Sequence, residues 1–382
     1  AARASLRRLD DIAMRAAPVE PPAEPVALPA QGMLQLSGVR FDWGGAAPRA
    51  VLDGVDLELR PGERVAISGD SGAGKSSLMA LLLRLRDPDA GHIAFGGVDL
   101  READLADWHA RLAWLPQDAP VFAGSVRDNI AFGLTVRPRA ERPGRAQIAR
   151  KVDELLGFLQ IEALGGRYPA QLSGGQRQRV ALGRALAIEP TVLLLDEPFG
   201  ALDAAVRRDL RRWLRGVHDA TGTTTIFVTH DQEEAFELAD RVVVMDHGRI
   251  QQIGDAATIH DAPATPFVAD FMGATVALPV TVRGGSVAAP GVDASRVAAP
   301  GLPDGPARLF VRPEDLVPVP DPAGPWTVAS ISNTGSQLRL VLADASGAEV
   351  PADLRRRHPA AQGLSPGARV HLRPEAASVF PV

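Results

Sequence analysis

Apolar residues recur along this 382-residue chain with two different spacings. Near the start, Leu6, Leu9 and Ile12 fall at helical intervals among Arg and Asp, which predicts a short amphipathic surface helix over residues 4–15. Residues 16–31 (AAPVEPPAEPVALPAQ) replace that rhythm with proline and alanine and read as an extended, semi-rigid linker. From Met33 to about Gly254, β-type runs alternate with helix-patterned stretches, the order of an α/β unit around a mainly parallel sheet. Strands are expected at Arg64–Ser68, Thr191–Leu195, Thr224–Thr229 and Arg241–Met245. A basic, proline-containing loop over 137–145 interrupts this unit, and helical spacing returns from Ala146 to Gln160.

After about Ala274 the texture changes to short alternating runs of Val, Ala, Gly and Pro. Leu338, Leu340 and Leu342 share one strand face, as do Val370 and Leu372, which predicts a small β-barrel or sandwich. The strings FVRPE (310–314) and HLRPE (371–375) suggest a weak internal duplication. The expected divisions are therefore a helix and linker over 1–32, an α/β unit over 33–273 with a helical subdomain at about 118–180, and a β-rich regulatory-type domain over 274–382.

Composition narrows the function classes. At 46% hydrophobic and 23% charged residues, the chain can bury a proper core. No stretch approaches eighteen consecutive apolar residues, so no membrane-spanning helix is expected. The first residues carry charge with no apolar run behind them, so a secretory leader is not expected either. The absence of cysteine excludes disulfides and thiolate metal sites and suits a reducing compartment. A net charge of −5 gives no support for a general nucleic-acid partner, so any phosphate must be held locally. Only two lysines occur, Lys75 and Lys151, in a chain whose other basic residues are arginine. A position that stays lysine points to a need for a compact point charge.

Lys75 occupies such a position. The run Gly69-Asp70-Ser71-Gly72-Ala73-Gly74-Lys75-Ser76 follows a β-type stretch and precedes the helical SLMALLLRL. This is the context of a phosphate-binding loop. Its glycines let backbone N–H groups turn toward phosphate oxygens, and the following helix adds its N-terminal partial charge. Lys75 is expected to reach the β- and γ-phosphates of a bound nucleotide and Ser76 to ligate Mg²⁺. Charge-assisted hydrogen bonds of roughly 1.5–3 kcal/mol each make tight nucleotide binding reasonable. The bland alternative is a glycine-rich turn with no ligand. Further on, Val192–Leu195 leads into Asp196-Glu197-Pro198. Adjacent strand-end carboxylates point in different directions and can divide the work: Asp196 for Mg²⁺, Glu197 to polarise the attacking water. Alone, such a strand end is usually structural.

Between these segments lies Leu172-Ser173-Gly174-Gly175-Gln176. With it the chain resembles the ABC transporter ATPases, whose signature is this pentapeptide. The resemblance implies head-to-tail pairing of two copies, each signature closing over the ATP of the other through Ser173, Gly174, Gly175 and Gln176. It also implies that Trp43 stacks on adenine and that Gln117 touches Mg²⁺ and senses the membrane subunit. Asp203 would cross the dimer interface, and His230 would contact the γ-phosphate as a catalytic residue beside Glu197 and Lys75. Ser77 stands where the family more often has threonine, and Gly183 where it has alanine.

The branch of the family divides along the chain. Residues 168–254, with 130–143 and 275–382, resemble bacterial import ATPases of the sulfate/thiosulfate type. Residues 4–128 resemble instead the ATPase half of thiol exporters that serve cytochrome bd assembly, which suggests a junction near Asn129–Gly133. The importer resemblance implies two membrane permease subunits, a periplasmic solute-binding protein and a place on the inner face of the bacterial plasma membrane, with no nucleic acid. The other readings are an exporter ATPase separated from its membrane domain, a soluble non-transport ABC ATPase, and a regulatory binding module. The short interval between phosphate loop and signature lacks the coiled coil of DNA-repair members.

Overall fold

In the computed structural model, residues 19–44, 50–118, 120–200, 204–273 and 275–382 are described. The expected helix over 4–15 lies outside them. The chain forms two compact units, 1–256 and 257–382. The divide falls ahead of the change in texture at Ala274.

The first unit runs β1 (Leu34–Phe41), β2 (Leu52–Leu59), β3 (Arg64–Ser68), α1 (Lys75–Leu82), β4 (Ala90–Phe95), β5 (Val98–Asp99), α2 (Leu105–Arg111) and β6 (Leu112–Leu115). It continues through α3 (Val126–Thr135), α4 (Arg145–Phe158), α5 (Gly174–Ala187), β7 (Val192–Asp196), α6 (Ala204–Thr221), β8 (Thr224–Thr229), α7 (Gln232–Leu238), β9 (Arg241–Asp246) and β10 (Arg249–Gly254). The strands make two sheets. One is antiparallel, in the order β2-β1-β4-β5; the other runs β10-β9-β3-β8-β7-β6 and is parallel apart from β10.

Every residue of β8 is buried, as befits a central strand of a parallel sheet covered on both faces. One core joins the two sheets, with Leu34, Leu36, Leu52 and Val55 packing with Val65, Ile67, Leu78, Leu194, Ile226 and Val243. Each such fully buried side chain contributes about 1.5–3 kcal/mol. The helix starts are written locally: Asp104, Ser125, Ser173 and Asp231 cap α2, α3, α5 and α7 with side-chain oxygens. The linker does not float. The Val26 N–H donates to the Glu102 carbonyl at 2.8 Å, Leu28 is buried, and Arg111 reaches the Pro29 carbonyl at 2.7 Å. Prolines lack donors, so arginine side chains meet the linker's free carbonyls.

This topology positions the site. Ser68, at the end of β3, pairs in register with Thr229 at the end of β8; Asp196 of β7 pairs with Val228; Leu115 of β6 pairs with Leu195. The loops after all four strands therefore leave the same carboxyl edge, where open α/β sheets place their ligands.

α8 (Ala256–Asp261) begins at the divide, and α9 (Pro266–Phe271) follows it in the second unit. That unit then builds β11 (Val276–Arg283), β12 (Ser286–Ala288), β13 (Gly305–Val311), β14 (Leu316–Pro320), β15 (Trp326–Asn333), β16 (Gln337–Ala343), β17 (Glu349–Arg355), β18 (Arg369–Pro374) and β19 (Ser378–Pro381). Two antiparallel sheets, β12-β11-β13-β19 and β14-β18-β15-β16-β17, share one core. Leu340, Leu342, Val370 and Leu372 are fully buried in it, and Leu338 is partly buried against it. Arg312 of the first repeat string donates to the Met272 carbonyl at 3.2 Å, which fastens the end of α9 to this unit.

Candidate functional site

The loop between β3 and α1 depends on two glycines. Gly69 stands at φ 150°, and a Cβ there would lie 2.1 Å from the Met245 carbonyl oxygen. Gly74, the N-cap of α1, stands at φ 101°, and its Cβ would lie 2.7 Å from the Val51 carbonyl oxygen. No other residue fits either place. The loop so formed lines a cleft of about 420 Å³ together with Val51, Ser71, Gly72, Lys75, Ser76, Ser77, Gln117, Asp196, Glu197, Val228 and His230. Asp70 and Ala73 line an adjoining hollow with Asp246 and His247.

Lys75 is buried, with Nζ donating to the carbonyls of Gly69 (2.7 Å) and Asp70 (2.8 Å). Burial lowers its pKa against the pull of Glu197, Asp70 and Asp196, which favour the charge. Burial, together with the like charge of Glu197, raises the pKa of Asp196; Lys75 partly offsets this. Glu197 lies just past β7 with φ 45°, and its N–H donates to the Val228 carbonyl at 3.0 Å. Both its oxygens are engaged: Gln117 Nε2 donates to Oε2 at 3.0 Å, and His230 Nδ1 sits 3.0 Å from Oε1. The turn carrying His230 is itself braced. The Thr229 hydroxyl donates to buried Glu234 at 2.6 Å and accepts from the Asp231 N–H at 3.0 Å.

Trp43 stands beside the start of α1, its Nε1 donating to the Ser77 hydroxyl at 2.9 Å. Phe41 meets it edge-on at 5.0 Å, and Arg86 lies over the ring at 5.6 Å. The indole stays 53% exposed, which leaves a flat apolar face open for stacking.

Ser173 and Gln176 close a capping box at the start of α5: Ser173 N–H donates to Gln176 Oε1 at 3.0 Å, and Gln176 N–H to Ser173 Oγ at 3.3 Å. Neither they nor Gly174 and Gly175 line the cleft. The expected site thus splits into a cleft at the sheet edge and a separate helix start. Asp203 lies outside the described residues. Sequence reasoning did not single out Asp246, His247 or Arg86. The signal for the first two was the Asp-His-Gly turn between β9 and β10, where His247 and Gly248 both have positive φ (46° and 78°), the turn of a tight hairpin.

Residues 52–200 match the ABC transporter family profile and residues 309–381 match the TOBE domain. The sulfate/thiosulfate import ATP-binding protein of Xanthomonas campestris pv. campestris is 48% identical over 333 residues, 86% of this chain and 95% of that protein. The protein of the same name from Caulobacter vibrioides is 54% identical over 266 residues, 69% of this chain and 77% of that one. Among solved structures, the dimeric ATP-binding cassette MJ0796 bound to ADP and Pi is 26% identical with a TM-score of 0.54, covering 58% of this chain and 98% of that one. A bacterial Atm1-family exporter with ATP bound is 28% identical with a TM-score of 0.60, covering 70% of this chain and 46% of that one. A match over 86% of the chain has to run through residues 129–133, so importer likeness continues into the front half and no junction of unlike halves is needed. The chain belongs to the ABC transporter family, in the branch of the sulfate/thiosulfate import ATP-binding proteins.

Proposed function

We propose that this chain is the ATP-hydrolysing subunit that powers a bacterial importer of sulfate or thiosulfate. The observation that carries the reading is Glu197, a single carboxylate held by Gln117 and His230 in the same cleft as Lys75. A triphosphate on the loop Gly69–Ser76 would meet inward backbone N–H groups, the start of α1 and the Lys75 ammonium. With burial removing competing water, that ammonium acts strongly on the β- and γ-phosphates. Trp43 stacks on the adenine, its indole oriented by the bond to Ser77.

Ser76, Gln117 and Asp196 fit Mg²⁺. They offer a hydroxyl, an amide oxygen and a carboxylate, the hard oxygen donors this ion takes. Gln117 gives its Nε2 to Glu197, which leaves its amide oxygen as an acceptor. When bound, the ion neutralises charge on the β- and γ-phosphates. Glu197 then takes the proton of the attacking water, its carboxylate kept from rotating by its two tethers.

The signature residues Ser173, Gly174, Gly175 and Gln176 serve the nucleotide of a second copy, docked head-to-tail, with Asp203 at that interface. A further partner is a pair of membrane permease subunits, served by a solute-binding protein outside. The chain works on the inner face of the plasma membrane, with its C-terminal β unit as a regulatory-type module. Support comes from relatives named as import ATP-binding proteins that match most of the chain at 48% identity, against 28% for the exporter structure. Glu197→Gln tests the chemistry. Hydrolysis should fall by at least about a hundredfold while ATP still binds and the paired form accumulates in size-exclusion runs with ATP. Turnover at the parental rate would remove Glu197 as the base.

A further inference from the structure

Gln178 lies in the second turn of α5, just beyond the signature residues, and is buried. Its Nε2 donates to the carbonyl of Pro198, the residue directly after Glu197. Its Oε1 has no hydrogen-bond partner among the described residues. A buried amide with one end unpaired is a poor choice for stability, because methionine would fill the same space without a desolvated oxygen. The bond to Pro198 is what the amide supplies and methionine cannot.

Glu197 stands in the left-handed region that non-glycine residues avoid, so its turn needs anchors. Two are backbone bonds: Glu197 N–H to the Val228 carbonyl (3.0 Å) and Gly200 N–H to the Glu197 carbonyl (3.3 Å). Pro198 has no N–H, so at that residue the turn offers only its carbonyl. The Gln178 bond grips that carbonyl from a different element, the helix whose first turn carries the signature.

We propose that Gln178 is a positioning residue coupling the signature helix to the base of the same chain. Displacement of α5, when its start docks on the nucleotide of a second copy, carries the Pro198 carbonyl with it and sets the angle of Glu197. A chain whose signature is engaged thereby readies its own base, which links the two sites of a pair. The inference rests on Glu197 as base and on the signature acting across the pair.

The test measures kcat and KM for ATP in the full chain for parent, Glu197→Gln, Gln178→Met and Gln178→Glu, with melting curves. Gln178→Met should stay folded and melt close to the parent, the lost bond to Pro198 being offset by removal of the unpaired amide oxygen, yet lose roughly tenfold or more in kcat. Its KM and ATP-dependent pairing should stay within about twofold. Gln178→Glu faces the carbonyl with an acceptor when ionised, so its activity relative to the parent should rise as pH falls and the acid can donate. Parental kcat in Gln178→Met overturns the proposal while a dead Glu197→Gln keeps the base. Loss in Gln178→Met with a flat pH ratio in Gln178→Glu also overturns it, leaving a packing role. A Glu197→Gln chain that hydrolyses normally removes both.

Discussion

At the scale of single residues, the cleft holds charge at a thermodynamic disadvantage. Burial and the neighbouring Glu197 lift the Asp196 pKa, so over a window reaching upward from the ordinary carboxylate range the folded state keeps a proton that the unfolded chain has lost. Stability from this group is present below that window and falls as pH rises through it. Asp196→Asn, of equal size and uncharged, should therefore raise the melting temperature of the nucleotide-free chain at neutral pH and flatten its decline with pH. A lower melting temperature at pH 7 would contradict this electrostatic account. The lysine, glycines and paired carboxylates of the cleft were legible in the sequence because each motif carries its chemistry within a few residues. Asp246 and His247 were not, since the distant strand β9 brings them to the loop; nor was Arg86, which meets Trp43 from beyond the end of α1.

At the scale of elements, helix starts and close packing decide the fit. In α3 the Ser125 hydroxyl donates to Asp128 Oδ2 at 2.6 Å and accepts from the Asp128 N–H at 3.1 Å. Ser125→Ala should lower stability by about 1 kcal/mol, read from denaturant midpoints at unchanged slope. Gly183, noted in the sequence as a departure from the family's alanine, lies where a Cβ would stand 2.6 Å from Leu159 Cδ1 and 3.3 Å from Ile130 Cγ1. The small residue lets α5 approach α3 and the end of α4. The strand rhythm fixed β3 and β8 to the residue, whereas β7 runs one residue later than expected, at Val192–Asp196. Hydrophobic alternation cannot see that Asp196 still pairs with Val228. Nor could the proline linker's docking be read, because it depends on Arg111 and Glu102 far along the chain.

At the scale of the whole molecule, each unit has its own core, which argues for separable roles. A chain ended at Ala256 should keep Mg²⁺-ATP hydrolysis per site; loss of hydrolysis by a folded truncation would tie the β unit to the chemistry itself. The texture change placed the boundary later than the packing does, because α8 and α9 are helical like the first unit yet cluster with the second. We propose that one chain holds half of each of two active sites, with the cleft and the signature apart in the same molecule. Mg²⁺-ATP hydrolysis against protein concentration tests it most directly. Activity rising faster than linearly at low concentration, toward a dependence on the square, is the expected result; strictly proportional activity down to concentrations where the chain is monomeric with ATP would contradict it.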